Sequence, residues 1–264
     1  MKFYTYGKTN KPVILLIPGT CCHHTIFKEV IPLLKERCYV IVASFSGFDE
    51  TVPDIYKDMD TETEAIEEYV TKHFSGHIEG CYGCSLGGSF AVYLVQRGKI
   101  SIDHVIIGSS DMDEAHGFSA VFQSRLISGL MYKWMKKGDM PGWIKRINEK
   151  KIRNHPEEAE YRTKFMNMFL MPCLSGGTVK KESIYNQFYS DLVTVIDEGI
   201  DMEGTVIHIF YATKMGERYE KRYLKHFAHP DIRRHDMQHE ELFACHPDEW
   251  TREVFDCMFS DKKQ

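Results

Sequence analysis

The 264-residue sequence has no apolar run long enough to cross a bilayer as a helix, which takes about 18 residues. Its first seven residues also lack the apolar core of a signal peptide, so we expect a cytoplasmic protein with no membrane span. A basic excess is missing too, because 33 Lys and Arg face 38 Asp and Glu for a net charge of −5. This balance does not favour a nucleic-acid partner.

Repeats and low-complexity segments are likewise absent. Hydrophobic residues make up 43% of the chain and charged residues 27%, which is the composition of an ordinary globular protein. A chain of this length can bury a full core without disulfides or metal. The eight cysteines accompany no export signal, and we therefore expect buried free thiols.

Two of these cysteines spell a C-x-x-C motif at Cys81-Tyr82-Gly83-Cys84. Redox chemistry is one interpretation, and metal binding is another. A metal site would need a second cysteine or histidine pair at ligand spacing, and we find none. The glycine next to Cys84 favours a third use, as part of a turn.

Short apolar segments predict buried strands, and segments with apolar residues at helical spacing predict helices. The strands are expected at 13–17, 39–43, 78–82, 103–108, 205–212 and 232–235, and the helices at 27–34, 61–74, 90–97, 217–227 and 247–259. Strands and helices alternate over the first 108 residues. This order predicts an α/β fold with a mostly parallel, doubly wound sheet.

The alternation stops between residues 112 and 203, where we find helical patterns and no convincing strand. Pro141 and Pro156 stand where prolines begin helices. A connection this long suggests a lid or cap. We therefore expect a core formed by residues 1–111 and 204–264 and a helical cap formed by residues 112–203.

A serine lies between the third predicted strand and its helix, in Gly83-Cys84-Ser85-Leu86-Gly87. This is a G-x-S-x-G motif between a strand and a helix, and only in that setting does the motif indicate a catalytic serine. The glycines permit a sharp turn because a Cβ atom at either position would clash. The turn lifts the serine hydroxyl above the sheet, and the helix directs its free N–H groups at the same point.

At this point the sequence resembles the α/β-hydrolase superfamily over nearly its whole length. The resemblance rests on Pro18-Gly19-Thr20 after the first predicted strand, on the serine turn, and on a late histidine. It implies a Ser85 nucleophile and an oxyanion hole formed by the backbone N–H groups of Thr20 and Leu86. Relatives usually have His-Gly where this chain has Pro18-Gly19, a mild departure since the donor is a backbone group. The resemblance implies neither a cofactor nor a metal.

The histidine of the resembling triad comes late in the chain. His239 follows the last predicted strand and is our first candidate. His235 within that strand and His246 at the start of the last helix are the alternatives. His23 and His24 adjoin Thr20 and could line a pocket, but we do not expect adjacent residues to converge on one metal.

The triad acid is less clear, because the usual position holds Met215. The next carboxylate is Glu217, which is our first candidate. Some relatives carry the acid after the preceding strand, which maps to Asp111. Either carboxylate could fix the histidine tautomer and stabilise the imidazolium. Glu217 could equally be an acidic residue of a helix first turn.

The predicted cap holds eight of the thirteen methionines, and it is rich in aromatic and basic residues. The aromatic residues are Phe118, Phe122, Trp134, Trp143, Phe165 and Phe169, and the basic ones lie between Lys133 and Arg153. The apolar residues could line a pocket for an acyl group or form the cap's own core. The basic residues could steer anionic substrates, touch a membrane surface or form a solvated helix face.

These features predict a serine hydrolase that cleaves a small ester, thioester or related acyl substrate with an apolar part. The alternative is a ligand-binding protein, an acyltransferase or a lyase on the same fold. The oligomeric state and the identity of the substrate stay open.

Overall fold

The computed structural model describes residues 1–112, 114–138, 141–170 and 179–260. Within these ranges seven strands form one sheet: β1 (Lys2–Tyr6), β2 (Val13–Ile17), β3 (Tyr39–Ser44), β4 (His77–Gly83), β5 (Ser101–Gly108), β6 (Val206–Ala212) and β7 (Asp231–His235). The strand order is β1-β3-β2-β4-β5-β6-β7. All six predicted strands are confirmed within two residues.

The sheet is parallel except for β1, which pairs antiparallel with β3 at one edge. All five residues of β2 are buried, as expected of a central strand covered by helices on both faces. The edge strand β1 was not predicted. Its residues are mostly half-buried, and Phe3 stacks on Tyr69 to cover one face of the sheet edge.

Ten α-helices lie in the described ranges: α1 (Ile31–Leu34), α2 (Met59–Phe74), α3 (Leu86–Arg97), α4 (Gly117–Lys137), α5 (Gly142–Asn154), α6 (Ala159–Phe165), α7 (Lys181–Val193), α8 (Glu217–His226), α9 (Glu241–Cys245) and α10 (Pro247–Phe259). The helix predicted at 27–34 is divided into a 3₁₀ turn, His24–Phe27, and α1. Helix α3 begins at Leu86, four residues earlier than predicted, because it follows Ser85 directly.

Helices α4 to α7 lie between β5 and β6, and we call them the cap. Helix α4 packs against α7, and three of its buried residues, Ala120, Ser124 and Ser128, are small. Helix α7 also contacts the core, since Ser183 Oγ accepts a hydrogen bond from Tyr56 N–H at 3.2 Å. The cap is therefore fixed to the core through α7.

The chain changes direction across the sheet at β2, because β3 lies on one side of β2 and β4 on the other. A parallel sheet forms a crevice at such a switch point, at the carboxyl ends of the strands. The segments that follow β2 and β4 meet there. These are Pro18-Gly19-Thr20 and the serine turn.

No helix in the described ranges has the length and apolar character needed to span a membrane. The seven described cysteines are free and buried, which confirms the expectation for them. Cys173 lies outside the described residues. Burial raises the pKa of the Cys81 and Cys84 thiols well above the ordinary range, which disfavours the thiolates that redox chemistry would need.

Candidate active site

Ser85 forms the sharp turn between β4 and α3. Its backbone angles are φ 50° and ψ −115°, outside the regions that a residue with a side chain prefers. Gly87 permits the turn, because a Cβ atom there would lie 2.2 Å from the carbonyl oxygen of Ile17. Cys84 N–H donates to that same carbonyl at 3.0 Å, which ties the turn to the end of β2. Backbone strain of this kind persists only where surrounding interactions hold the residue in place, and such residues are frequent at active sites.

The turn after β2 lies directly against Ser85. A Cβ atom added to Gly19 would be 3.4 Å from the Ser85 Cβ atom. Leu86 is the first residue of α3, so its N–H has no acceptor within the helix. Thr20 follows Gly19, and the two N–H groups expected to form an oxyanion hole therefore lie on segments that touch.

A cap residue holds the turn that contains Thr20. Gln187 of α7 is fully buried, and its Oε1 accepts a hydrogen bond from Cys21 N–H at 2.7 Å. Cys21 has a positive φ of 55°, so this bond stabilises an unfavourable backbone conformation. The Gln187 contact was not predicted, because the residues are 166 positions apart and no local pattern relates them.

His239 lies in the loop after β7, half-buried beneath the cap. The Tyr161 hydroxyl donates a hydrogen bond to its backbone carbonyl at 3.1 Å, and the Phe165 ring meets its ring edge-on at 6.2 Å. Burial lowers the pKa of His239, although the charge of Glu240 and a polar contact with the Ser109 backbone act in the opposite direction. A lowered pKa keeps the imidazole neutral and able to accept a proton.

The two other histidines considered from the sequence have different surroundings. His235 is at the end of β7, with its Nε2 atom 3.4 Å from a Glu253 carboxylate oxygen. His246 precedes α10 and is exposed.

The two acids predicted from the sequence lie apart from His239 in the described hydrogen-bond network. Glu217 is exposed at the first position of α8. Asp111 is half-buried after β5, and its backbone carbonyl accepts a hydrogen bond from Arg222. Among the described residues, no hydrogen bond joins a carboxylate to the His239 ring.

A third carboxylate, Glu240, lies beneath the Ser85 turn. The residue is 3% exposed, and its carboxylate accepts hydrogen bonds from Ser85 N–H at 2.9 Å and from the Tyr82 hydroxyl at 2.8 Å. Gly108 leaves space for it, since a Cβ atom there would lie 2.7 Å from the Glu240 Oε1 atom. Burial raises the pKa of Glu240, while His239, Tyr82 and Ser85 act to lower it.

Glu240 also has a positive φ of 55°, which is unfavourable for a residue with a side chain. The hydrogen bonds from Ser85 and Tyr82 compensate for two costs, the burial of the Glu240 carboxylate and the strain of its backbone. Glu240 was not among the candidate acids predicted from the sequence. Its position next to the candidate histidine was the only available signal.

The described residues contain one group of side chains able to converge on a metal ion, formed by His23, His24 and Asp49. Their ligand atoms lie within 4.8 Å of one another, so these adjacent histidines do converge, contrary to expectation. Asp49 already accepts four hydrogen bonds, from Tyr4, Ser44 and two donors of Thr51. Burial lowers the pKa of His24 to about 4. These bonds explain the buried Asp49 carboxylate, and we assign no metal to the group.

The aromatic residues of the cap divide into two sets. Trp134 and Phe165 are partly buried against the core. Phe118, Phe122 and Trp143 are exposed, which leaves them outside any enclosed pocket. Nothing is described for the Phe169 side chain.

Comparison with known proteins supports the fold that this geometry indicates. No protein-family model and no curated protein sequence matches the chain. Solved structures do match over nearly the whole length. An α/β-hydrolase family protein from Desulfitobacterium hafniense has a TM-score of 0.73 at 17% identity, with 97% of this chain and 99% of that chain covered.

Two further structures agree with the first. A thermophilic esterase from Thermogutta terrifontis has a TM-score of 0.65 at 19% identity, covering 97% of this chain and 91% of the other. MenH from S. aureus has a TM-score of 0.68 at 13% identity, covering 96% of each chain. The chain therefore has the α/β-hydrolase fold.

Proposed function

We propose that this protein is a serine hydrolase that cleaves a small ester, thioester or related acyl substrate. The observation that carries the proposal is the strained backbone turn at Ser85, which is in contact with the turn at Gly19. The lowered pKa of His239 is a second support, because a neutral imidazole is the form that activates a serine. The esterase and hydrolase structures of the same fold agree with this assignment.

In the proposed reaction the Ser85 hydroxyl attacks the acyl carbonyl, and His239 accepts its proton. The N–H groups of Thr20 and Leu86 bind the oxyanion that develops on the carbonyl oxygen. Each such donor contributes about 3–4 kcal/mol to transition-state stabilisation in enzymes of this type. His239 then protonates the leaving group, and water hydrolyses the acyl-enzyme with His239 as the base.

We further propose that Glu240 provides the negative charge near the imidazolium that forms in the transition state. Its carboxylate interacts electrostatically with His239 and holds the backbone of Ser85. Glu217 and Asp111 are the alternatives from the sequence, and substitution of each to the amide separates the three. We expect Glu240→Gln to lower kcat at least tenfold, and Glu217→Gln and Asp111→Asn to change it less than threefold, about 0.7 kcal/mol.

The apolar part of the substrate is expected to lie under the cap, where Phe165 meets the His239 ring. Hydrolysis of p-nitrophenyl esters with acyl chains of increasing length tests the reaction and the substrate class together. Ser85→Ala should abolish turnover. Ser89→Ala is the matched control, because Ser89 is a buried serine of the same helix α3. Undiminished hydrolysis by Ser85→Ala would disprove the mechanism.

Acyl transfer is the alternative that the sequence left open, because it uses the same nucleophile and acyl-enzyme and differs only in the acceptor of the acyl group. Adding an alcohol or amine acceptor to the ester assay distinguishes the two reactions. A hydrolase gives mainly the free acid, and an acyltransferase gives mainly the transfer product.

A further inference from the structure

Helix α5 lies on the surface of the cap, and none of its thirteen residues is buried. Its inner side is formed by Ile144, Asn148 and Ile152, which are half-buried. The Asn148 side-chain amide donates to the Met166 Sδ atom at 3.0 Å, which fixes this side against the protein. The remaining sides of α5 therefore face outward.

Two large apolar residues occupy the outward side of α5. Trp143 is 57% exposed and Ile147 is 48% exposed. At about 100° per residue, Arg146 and Lys150 lie on one side of this pair and Lys151 lies on the other. Apolar residues flanked by cations are typical of helices that lie in a membrane interface.

Helix α4 has a similar outward side. Phe118, Phe122, Leu126 and Leu130 recur every four residues and are 84%, 57%, 55% and 40% exposed. The opposite side of α4 carries its small buried residues. The same exposed side continues at its C-terminal end into Lys133 and Lys137.

Positive charge is concentrated in the segment that contains α4 and α5. Residues 117–153 contain nine Lys and Arg but two Asp and Glu, a net charge of +7 in a chain of net charge −5. Among the described residues, Arg146, Lys150 and Lys151 form no ion pair. Their charges are therefore available to an anionic partner.

We propose that the outward side of α5, here called the outer cap surface, binds peripherally to a membrane that contains anionic lipids, with the exposed row of α4 as a further apolar contact. The apolar residues would enter the headgroup region, and the cations would contact the lipid phosphates. A second copy of the chain fits less well, because two such surfaces would bring like charges together. A nucleic acid would neutralise the cations but leave the apolar rows in water.

Sedimentation of the full-length protein with vesicles tests this proposal. One set of vesicles is pure phosphatidylcholine, and the other contains one quarter phosphatidylglycerol. We expect binding to the anionic vesicles alone, stronger at about 0.01 M than at about 1 M salt, where the Debye length falls from about 30 Å to about 3 Å.

Two double variants test the apolar and the electrostatic contributions to membrane binding. Trp143→Ser with Ile147→Ser removes apolar side chains, and Lys150→Glu with Lys151→Glu reverses charges. Each should reduce the vesicle partition constant at least tenfold, given that one cation near an anionic surface contributes about fivefold. All four side chains are exposed, so the circular dichroism spectrum and ester hydrolysis should be unchanged.

Matched controls lie outside the cap. Leu224→Ser removes a side chain of similar exposure, 56%, on α8. Lys28→Glu with Lys57→Glu reverses two exposed lysines of the core. Both controls should bind vesicles like the unaltered protein.

Absence of binding to anionic vesicles at low salt would overturn the proposal, as would equal binding by the cap variants and their controls. A dimer in analytical ultracentrifugation that is lost with Trp143→Ser and Ile147→Ser would also overturn it, since the surface would then be an interface between copies.

Discussion

Substitution of Glu240 tests how the buried carboxylate supports Ser85, the proposed nucleophile. Glu240→Ala would leave two buried donors, Ser85 N–H and the Tyr82 hydroxyl, without their acceptor. Each unpaired buried donor costs about 1–3 kcal/mol. The loss of about 2–6 kcal/mol is a large part of the 5–15 kcal/mol that typically stabilises a domain. We expect Glu240→Ala to lower the urea midpoint strongly and to displace Ser85.

Glu240→Gln separates charge from hydrogen bonding. Its amide oxygen can still accept from Ser85 N–H, and its NH₂ group can donate to the Tyr82 hydroxyl. We expect a loss of stability below about 1.5 kcal/mol, the net value of one hydrogen bond, but a tenfold or greater loss of kcat. Glu240→Gly should be more stable than Glu240→Ala by about 1 kcal/mol, because glycine adopts a positive φ without strain.

The stability difference between Glu240→Gln and the unaltered protein should depend on pH. Because burial raises the pKa of Glu240 in the folded state, that state disfavours ionisation. Stability from this group is fully present below the unfolded pKa, near 4.5, and decreases as the pH rises through the folded pKa. The glutamine of Glu240→Gln does not ionise, so the stability of this variant relative to the unaltered protein should increase above pH 4.5. Urea unfolding of both proteins at several pH values measures this stability difference. If Glu240→Ala had the same stability and kcat as the unaltered protein, the proposed role of Glu240 would be refuted.

Three further predictions concern separate parts of the structure. Because burial lowers the pKa of His239 below 6.5, the acid limb of kcat/KM should have its midpoint below pH 6.5, and a higher midpoint in the pH profile would contradict the assignment. Gly87→Ala should yield little folded protein in expression trials, because its Cβ atom would lie 2.2 Å from the Ile17 carbonyl oxygen; a normal yield of active enzyme would be inconsistent with the turn. Burial alone would raise the pKa of Asp49, but its hydrogen bonds lower it, so its stabilisation is present above the unfolded pKa of about 3.9 and lost as the pH falls. Tyr4→Phe removes one of those bonds and should cost about 1.5–3 kcal/mol at pH 7 in urea unfolding; no loss would show that the bond contributes nothing.

The sequence was sufficient to predict the parts of the fold that depend on local pattern. The strand 13–17 is apolar throughout and bounded by Pro18-Gly19, and it is a buried central strand in the structure. The serine turn was recognisable because its glycines, its strand and its helix are consecutive. The solved structures of similar fold confirm the predicted α/β class.

The features that the sequence did not predict depend on distant contacts. Strand β1 is stabilised by pairing with β3, and its own pattern is weak. Glu240 was overlooked because its importance comes from Tyr82 and Ser85, which are more than 150 residues away. Gln187 acts on the turn at Cys21 from the cap. Which carboxylate serves His239 is likewise a matter of spatial arrangement, and it stays a prediction.

Labelling with a fluorophosphonate tests the central proposal, that Ser85 is an activated nucleophile. Mass spectrometry of the labelled, digested protein should locate the phosphonyl group on Ser85. Labelling should be absent in Ser85→Ala and strongly reduced in His239→Ala, and Ser89→Ala should react normally. A folded protein that does not react, or that reacts equally well without Ser85, would contradict the proposal.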